Sequence, residues 1–299
     1  MLDICLGGTG GMMPLPDRFL TCCWAEYQGG AALIDCGEGT QVSLRRAGCR
    51  LSRLEALLLT HVHADHVAGL PGLLLSLGNT GREKPLPVYG PKGAARVVKA
   101  LTVISQEAGF PLEIHEMEGG EKALLPNGLT MTCLALTHRA PCLGYRLTLK
   151  RKGIFNPDKA RQLGVPIEMY RTLHSGKSVT LMNGRIIEPS MVLDGEREPI
   201  SLCYMTDSLP VEGMADFARG ADLLIGEGMY YDDAMAESMR EKTHMLFSDS
   251  ARVAAGAGVK RLWLTHFSPA CTDPENGLER VRAIFPDTHI PRDGEWIHL

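Results

Sequence analysis

The run Leu57-Leu58-Leu59-Thr60 empties into His61-Val62-His63-Ala64-Asp65-His66, which sets three imidazoles and a carboxylate within six positions. An apolar stretch of strand length precedes these residues and one of helical length, Val67 through Leu74, follows. A chain that presents four such side chains at a strand-to-helix junction is confined to folds in which a sheet edge collects polar loops. His61 and His63 lie on the same side of an extended backbone and can face one cation, while Asp65 and His66 turn over the loop toward another. Nitrogen and oxygen donors without cysteine suit zinc, manganese or iron in an open site better than a closed structural zinc.

Other strand ends supply matching groups. The strand predicted over Leu129 to Thr137 delivers His138, read as the third ligand of the first metal. Ile200 to Met205 delivers Asp207, where each carboxylate oxygen can serve one of two cations. Ala221 to Gly226 ends at Glu227, and Lys260 to Thr265, read as the last buried strand, ends in a third Thr-His pair at His266. Nearer the start, Phe19 to Tyr27 and Ala31 to Asp35 read as a hairpin around Gln28-Gly29-Gly30, followed by a helix through Arg46. Asp35 is expected either to brace the metal loop from behind or to cap that helix. Gly7-Gly8-Thr9-Gly10-Gly11 lacks the lysine and the spacing of a phosphate loop and reads as a tight turn at the rim of the site. Alternating strands and helices through both halves predict a layered α/β sandwich with the ligands along one edge of its sheets.

With 299 residues, 44% hydrophobic and 22% charged, the chain reads as a soluble globular protein. A net charge of -4 provides no global basic field, so contact with nucleic acid must come from local patches. The nine cysteines form no C-x-x-C pair and mostly sit in apolar runs, the usage of reduced buried thiols. No signal segment or membrane span is read, and the expected location is cytoplasmic.

Residues 150–199 change character and read as an inserted arm within a single domain spanning residues 1–299. Asn156-Pro157-Asp158 opens a helix, Pro166 to His174 a second, and Met182-Asn183-Gly184 turns a hairpin. Lys150, Arg151, Lys152, Lys159 and Arg161 make its first part basic and are the candidate phosphate contacts. His115, His174, His289 and His298 have no evident partner and are expected at the surface.

The set Thr60 to His66 with His138, Asp207 and His266, each at a strand end, resembles the metallo-β-lactamase fold, an αββα sandwich. Gly69-Leu70-Pro71-Gly72-Leu73-Leu74, Tyr89-Gly90-Pro91-Lys92-Gly93, Gly144-Tyr145-Arg146, the arm ending in Asn183-Gly184-Arg185-Ile186-Ile187, and Leu264-Thr265-His266 resemble ribonuclease Z over essentially the whole chain. The resemblance implies His61, His63 and His138 on one metal, Asp65, His66 and His266 on the other, and Asp207 between them, with two divalent ions, zinc before manganese or iron. It also implies support of catalysis by Asp65, Glu227 and His244, a homodimer, and a precursor transfer RNA cut after its discriminator nucleotide. A small phosphodiester is the alternative substrate. A di-iron redox centre would place glutamate where this chain has His63. Three features depart from the family pattern, all away from the metal ligands. They are Val165-Pro166-Ile167-Glu168 in the arm, Met245-Leu246 after His244, and Phe267-Ser268-Pro269-Ala270-Cys271 after His266.

Overall fold

The computed structural model describes residues 1–195 and 197–299. It divides into two compact units, one of Met1–Thr148 with Ser201–Leu299 and one of Leu149–Ile200.

The first unit is built on two seven-stranded sheets. One runs in the spatial order Glu295–His298, Asp3–Gly8, Cys22–Tyr27, Gly30–Ile34, Leu54–Leu58, Leu86–Pro91, Leu112–Met117. Its first four strands pair antiparallel, and from Gly30–Ile34 onward the pairing is parallel. The other runs Thr288–His289, Leu262–Thr265, Leu223–Glu227, Arg197–Met205, Cys142–Arg151, Thr130–Leu136, Lys122–Leu124. Both are covered by helices through separate apolar clusters. Trp24, Leu33, Leu57 and Val88 pack with Leu44, Leu73, Leu77 and Val98 over the first sheet. Cys203, Leu224 and Leu264 pack with Met214, Phe247 and Ala254 over the second. The opposite faces are buried as well, which is why strands such as Leu54-Glu55-Ala56-Leu57-Leu58 read as apolar runs rather than alternations. Polar ties join the sheets: Tyr145 donates to the Leu59 carbonyl at 2.6 Å, and the Thr21 hydroxyl lies 2.7 Å from Thr265 and 3.1 Å from Tyr204.

The expected hairpin forms, with Tyr27 opposite Gly30 and a two-residue loop in which Gln28 and Gly29 both have positive φ, the twist-compatible turn. Asp35 does not cap the helix after it. That helix, Thr40–Arg46, starts from Gly39 without a side-chain cap. The helix after the metal loop is Leu70–Gly78, set off by a separate short turn at Ala64–Val67. Leu262–Thr265 is buried throughout, and two partly exposed strands not read from the sequence follow it, Thr288–His289 and Glu295–His298, the latter pairing with Asp3–Leu6. Cys142–Arg151, seen in the sequence only as part of a family motif, is a ten-residue central strand.

The second unit holds its own small core of Ala160, Val165, Leu173, Val179, Leu181, Ile187 and Val192. Asn156 caps its first helix, accepting from the Asp158 and Lys159 amides. The second is a 3₁₀ turn at Ile167–Met169 running into Tyr170–His174, and Val179–Thr180 pairs with Ile186–Ile187. Among the described residues no helix is long and apolar enough to cross a membrane.

Candidate metal centre

Sheet geometry gathers the predicted residues. In the second sheet, Arg197–Met205, Leu223–Glu227 and Leu262–Thr265 run parallel in register, Met205 beside Gly226 and Glu227 beside Thr265, so their carboxyl ends share an edge. Asp207, Glu227 and His266 sit on that edge, and Thr137, just before His138, bridges to Leu209 beside it. The first sheet contributes Asp35 after Gly30–Ile34 and His61 to His66 after Leu54–Leu58.

Two donor sets result. His61 Nε2 lies 3.0 Å and His138 Nε2 3.1 Å from His63 Nδ1. Asp65 Oδ2 lies 3.6 Å from His66 Nε2 and 3.4 Å from His266 Nε2, and those two nitrogens are 3.2 Å apart. Asp207 stands between them. Its Oδ1 is 4.0 Å from both His61 Nε2 and His138 Nε2, and its Oδ2 is 3.2 Å from His66 Nε2 and 3.4 Å from His266 Nε2. His61, His66, Asp207, Glu227 and His266 are buried; His63, Asp65, His138 and His244 are half-buried and form the open side.

In His66, His138 and His266 the far nitrogen is anchored by a carboxylate or a carbonyl, which fixes where the lone pair of the other points. His66 Nδ1 donates to Asp35 Oδ2 at 2.8 Å, His138 Nδ1 to the Thr243 carbonyl at 3.1 Å, and His266 Nδ1 to Glu227 Oε1 at 3.1 Å. Asp35 also accepts from the Thr60 amide at 2.8 Å and from the Thr60 hydroxyl, locking the strand end from behind. Glu227 Oε1 accepts from His244 Nδ1 at 2.6 Å, and its Oε2 from the Met245 amide at 2.7 Å.

The donors converge without hydrogens to share: Asp207 Oδ2 is buried and has no hydrogen-bond partner despite two imidazole nitrogens nearby. Such an orphan acceptor is costly in a protein alone and fits a cation at the point the lone pairs face. Backbone strain marks the same place. Met12, Asp35, Asp207, Thr243 and His266 are all non-glycine residues with positive φ, and each makes or borders one of these contacts. Two glycines permit the packing: a Cβ on Gly11 would lie 2.7 Å from the His266 ring, and one on Gly37 2.1 Å from the Asp65 carbonyl.

Charge follows the geometry. Burial opposes the ionisation of Asp207, yet His266, His66 and His61 hold its carboxyl far below the usual carboxylate range. Burial likewise works against positive charge at His266, while the carboxylates of Asp207, Asp65 and Glu227 favour it, a negative field that equally favours a cation at this point. His244 is shifted up by Glu227 against the effect of its own burial. His61, with no carboxylate against its far nitrogen, is depressed by burial and by the neighbouring imidazole of His66.

The model of the Beta-lactamase superfamily domain matches residues 32–193. A protein of Lachnospira eligens named ribonuclease Z is 40% identical over 299 residues, covering 100% of this chain and 98% of that one. The ribonuclease Z of Lachnoclostridium phytofermentans is 42% identical over 299 residues with the same coverage. This chain belongs to the ribonuclease Z family. The crystal structure of human tRNase Z, short form, covers 99% of this chain and 98% of its own at a TM-score of 0.68 and 22% identity, which shows the shared fold. As a member of the ribonuclease Z family and the metallo-β-lactamase superfamily the protein is a metal-dependent hydrolase, with a centre suited to divalent ions.

The structure thus brings together His61, His63, Asp65, His66, His138, Asp207, Glu227, His244 and His266. The basic residues of the arm lie in the second unit. Lys159 pairs with Asp194 and Arg161 with Asp158, while Lys152 donates to the Ser175 carbonyl. Sequence reasoning missed Thr243, whose carbonyl and hydroxyl hold His138, and the Met12 amide, which donates to Asp65 Oδ2 at 2.8 Å. Backbone donors and acceptors carry no sequence signal, although the glycine-rich turn pointed to the right place for Met12. Two histidines expected without partners have them: His289 meets Glu295 at 2.6 Å and His298 meets Asp3 at 2.7 Å. His115 stacks on Tyr89 with ring centres 5.0 Å apart, and His174 lies 5.9 Å from the Phe155 ring centre.

Proposed function

We propose that the chain is a two-metal phosphodiesterase that cuts precursor transfer RNA after the discriminator nucleotide and leaves a 3′-hydroxyl. The observation that carries this reading is the division of Asp207, one oxygen toward the His61, His63 and His138 set and the other toward Asp65, His66 and His266, beside an imidazole braced by its own carboxylate. In this reading the first three residues would hold one cation and the second three the other, with Asp207 available to both; zinc would suit the imidazole-rich set best, with manganese or iron able to replace it. Two bound cations would polarise the scissile phosphate and acidify the attacking water. Asp65, fixed by the Met12 amide, would be the residue to orient that water.

His244 is the general acid. Its Nδ1 is turned inward to Glu227, which leaves Nε2 on the open side, and the upward shift of its pKa keeps a proton available for the departing 3′ oxygen. Glu227 positions the ring and, by accepting from Nδ1, favours its protonated form. Lys150 and Arg151, with no ion-pair partner among the described residues, are the arm positions best placed chemically to meet phosphates, ahead of Lys152, Lys159 and Arg161, which are engaged within the arm. The name of these relatives, ribonuclease Z, supports RNA as the substrate.

His244→Ala tests the assignment. Both metals should remain bound while turnover falls by ~10²–10⁴-fold, the usual worth of a positioned acid. Unchanged turnover would remove His244 from the mechanism. A small phosphodiester remains the second reading, favoured by the charge of -4 and by the internal pairing of the arm's cations. Deleting Lys150 to Pro199 separates the two, since an RNA enzyme would lose RNA cleavage and keep hydrolysis of a small diester.

A further inference from the structure

Beside His244 opens a cleft of about 420 Å³ that the metal chemistry does not use. Its volume falls within the ~300–1,000 Å³ of small-ligand sites. Met229 and Met239 are buried in its lining, Tyr230 and the exposed Met13 line it as well, and Arg139 and Lys242, both exposed, add charge at its edge. Tyr230 is held in place by the Ser268 hydroxyl, which donates to it at 2.6 Å. Methionine and tyrosine together make an apolar, polarisable lining with two cations at its edge, an arrangement that fits a flat aromatic group carrying phosphates on either side. A free apolar ligand would have no use for the cations, and a simple anion none for the methionines.

We propose that this cleft takes the nucleobase of the nucleotide on the 5′ side of the cut. The proposal rests on the phosphodiesterase reading above and follows from which oxygen leaves. Cleavage that ends in a 3′-hydroxyl makes the 3′ oxygen of that nucleotide the leaving group, and the oxygen is protonated at the open edge of His244, which itself lines the cleft. The sugar bearing that oxygen therefore lies against His244, and its base is directed into the methionine-lined space. Arg139 and Lys242 meet the flanking phosphates. Thioether side chains adapt to shape and offer no fixed hydrogen-bond pattern, so the cleft grips a base without reading which one it is.

The test compares precursor RNAs that differ only at the nucleotide 5′ of the cut, carrying each of the four bases or an abasic sugar, in cleavage and in competition by the matching 3′-hydroxyl products. The four bases should be cut within about tenfold of one another, and the abasic RNA should lose ~10–100-fold in kcat/KM, as expected when base stacking is removed. Met13→Ser, at an exposed position outside the catalytic machinery, and Tyr230→Ala should narrow the gap between base and abasic RNA; the first keeps the test open should the second fail to fold. Equal cutting of base and abasic RNA overturns the proposal, as does strong preference for one base. A protein that hydrolyses a small diester and cuts neither RNA overturns the parent reading, and this one with it, by a distinguishable result.

Discussion

Glu227→Gln separates support of the metal ligands from support of the proton. The Glu227 side chain is fully buried, with Oε1 receiving His244 and His266 and Oε2 receiving the Met245 amide at 2.7 Å and the Ser208 amide at 3.3 Å. Glutamine has one acceptor for these two sides. Whichever way the amide turns, its NH₂ faces a donor, and a buried donor left unsatisfied costs about 1–3 kcal/mol. For a protein of this size that corresponds to a fall of roughly 2–12 °C in Tm, at ~2–4 °C per kcal/mol. The catalytic effect comes through His244, whose pKa is lifted by the Glu227 carboxylate against burial. Removing the carboxylate lowers that pKa, so less imidazolium is present at neutral pH and above. Turnover at pH 8 should fall by ~10–100-fold, the usual cost of losing such a supporting carboxylate, and the deficit should shrink as the pH is lowered and protons restore the imidazolium. The assay is kcat against pH with metal content measured at each point. An equal deficit at both pH values with metals retained would refute proton control by Glu227, and a deficit that tracks metal loss would assign the residue to His266.

Three further outcomes follow from the same contacts. Removing metal with a chelator should lower Tm by roughly 5–10 °C, because a ligand held at a hundred times its Kd contributes about 2.7 kcal/mol, and calorimetry with and without added zinc measures it. Gly11→Ala drives a methyl group into the His266 ring, which Glu227 holds from the other side, and should weaken retention of one of two metals by ~10–100-fold on dialysis while the fold persists by circular dichroism. The buried thiols Cys22 and Cys203 are pushed up to about 12 by burial. Their contribution to stability is therefore flat below pH 9, where these thiols are protonated folded or unfolded. It should fall as pH rises from 9 toward 12, by up to ~1.4 kcal/mol per pH unit for each, because only the unfolded thiols ionise; urea midpoints across that range test the slope.

His61 to His66, His138, Asp207 and His266 were readable because they follow apolar strands, and a polar side chain stranded at such an end has few reasons to be there other than chemistry; His244, which follows the Ala236–Lys242 helix, was reached only through the family resemblance. Thr60-His61, Thr137-His138 and Thr265-His266 repeat that signature. What the sequence hid was what depends on distant pairing or on backbone atoms. The Glu295–His298 strand exists by pairing with Asp3–Leu6. Helices of five residues, such as Met214–Ala218 and Leu278–Arg282, are too short to show a period. Cys142–Arg151 does carry an alternation at Leu143, Tyr145, Leu147 and Leu149, broken to the eye by Gly144, a position where a Cβ would press on Met205. The strained turns at Asp207, Thr243 and His266 follow from no local preference. They are held by the contacts they make, as at other functional sites.

The central claim is that this centre hydrolyses RNA at one phosphodiester, and it is tested by giving metal-assayed protein a precursor transfer RNA with a 3′ trailer, beside a bis-aryl phosphodiester. Metal-dependent cutting after the discriminator nucleotide, with a 3′-hydroxyl on the transfer RNA, is the expected result. Turnover of the small diester with the RNA left intact would contradict it.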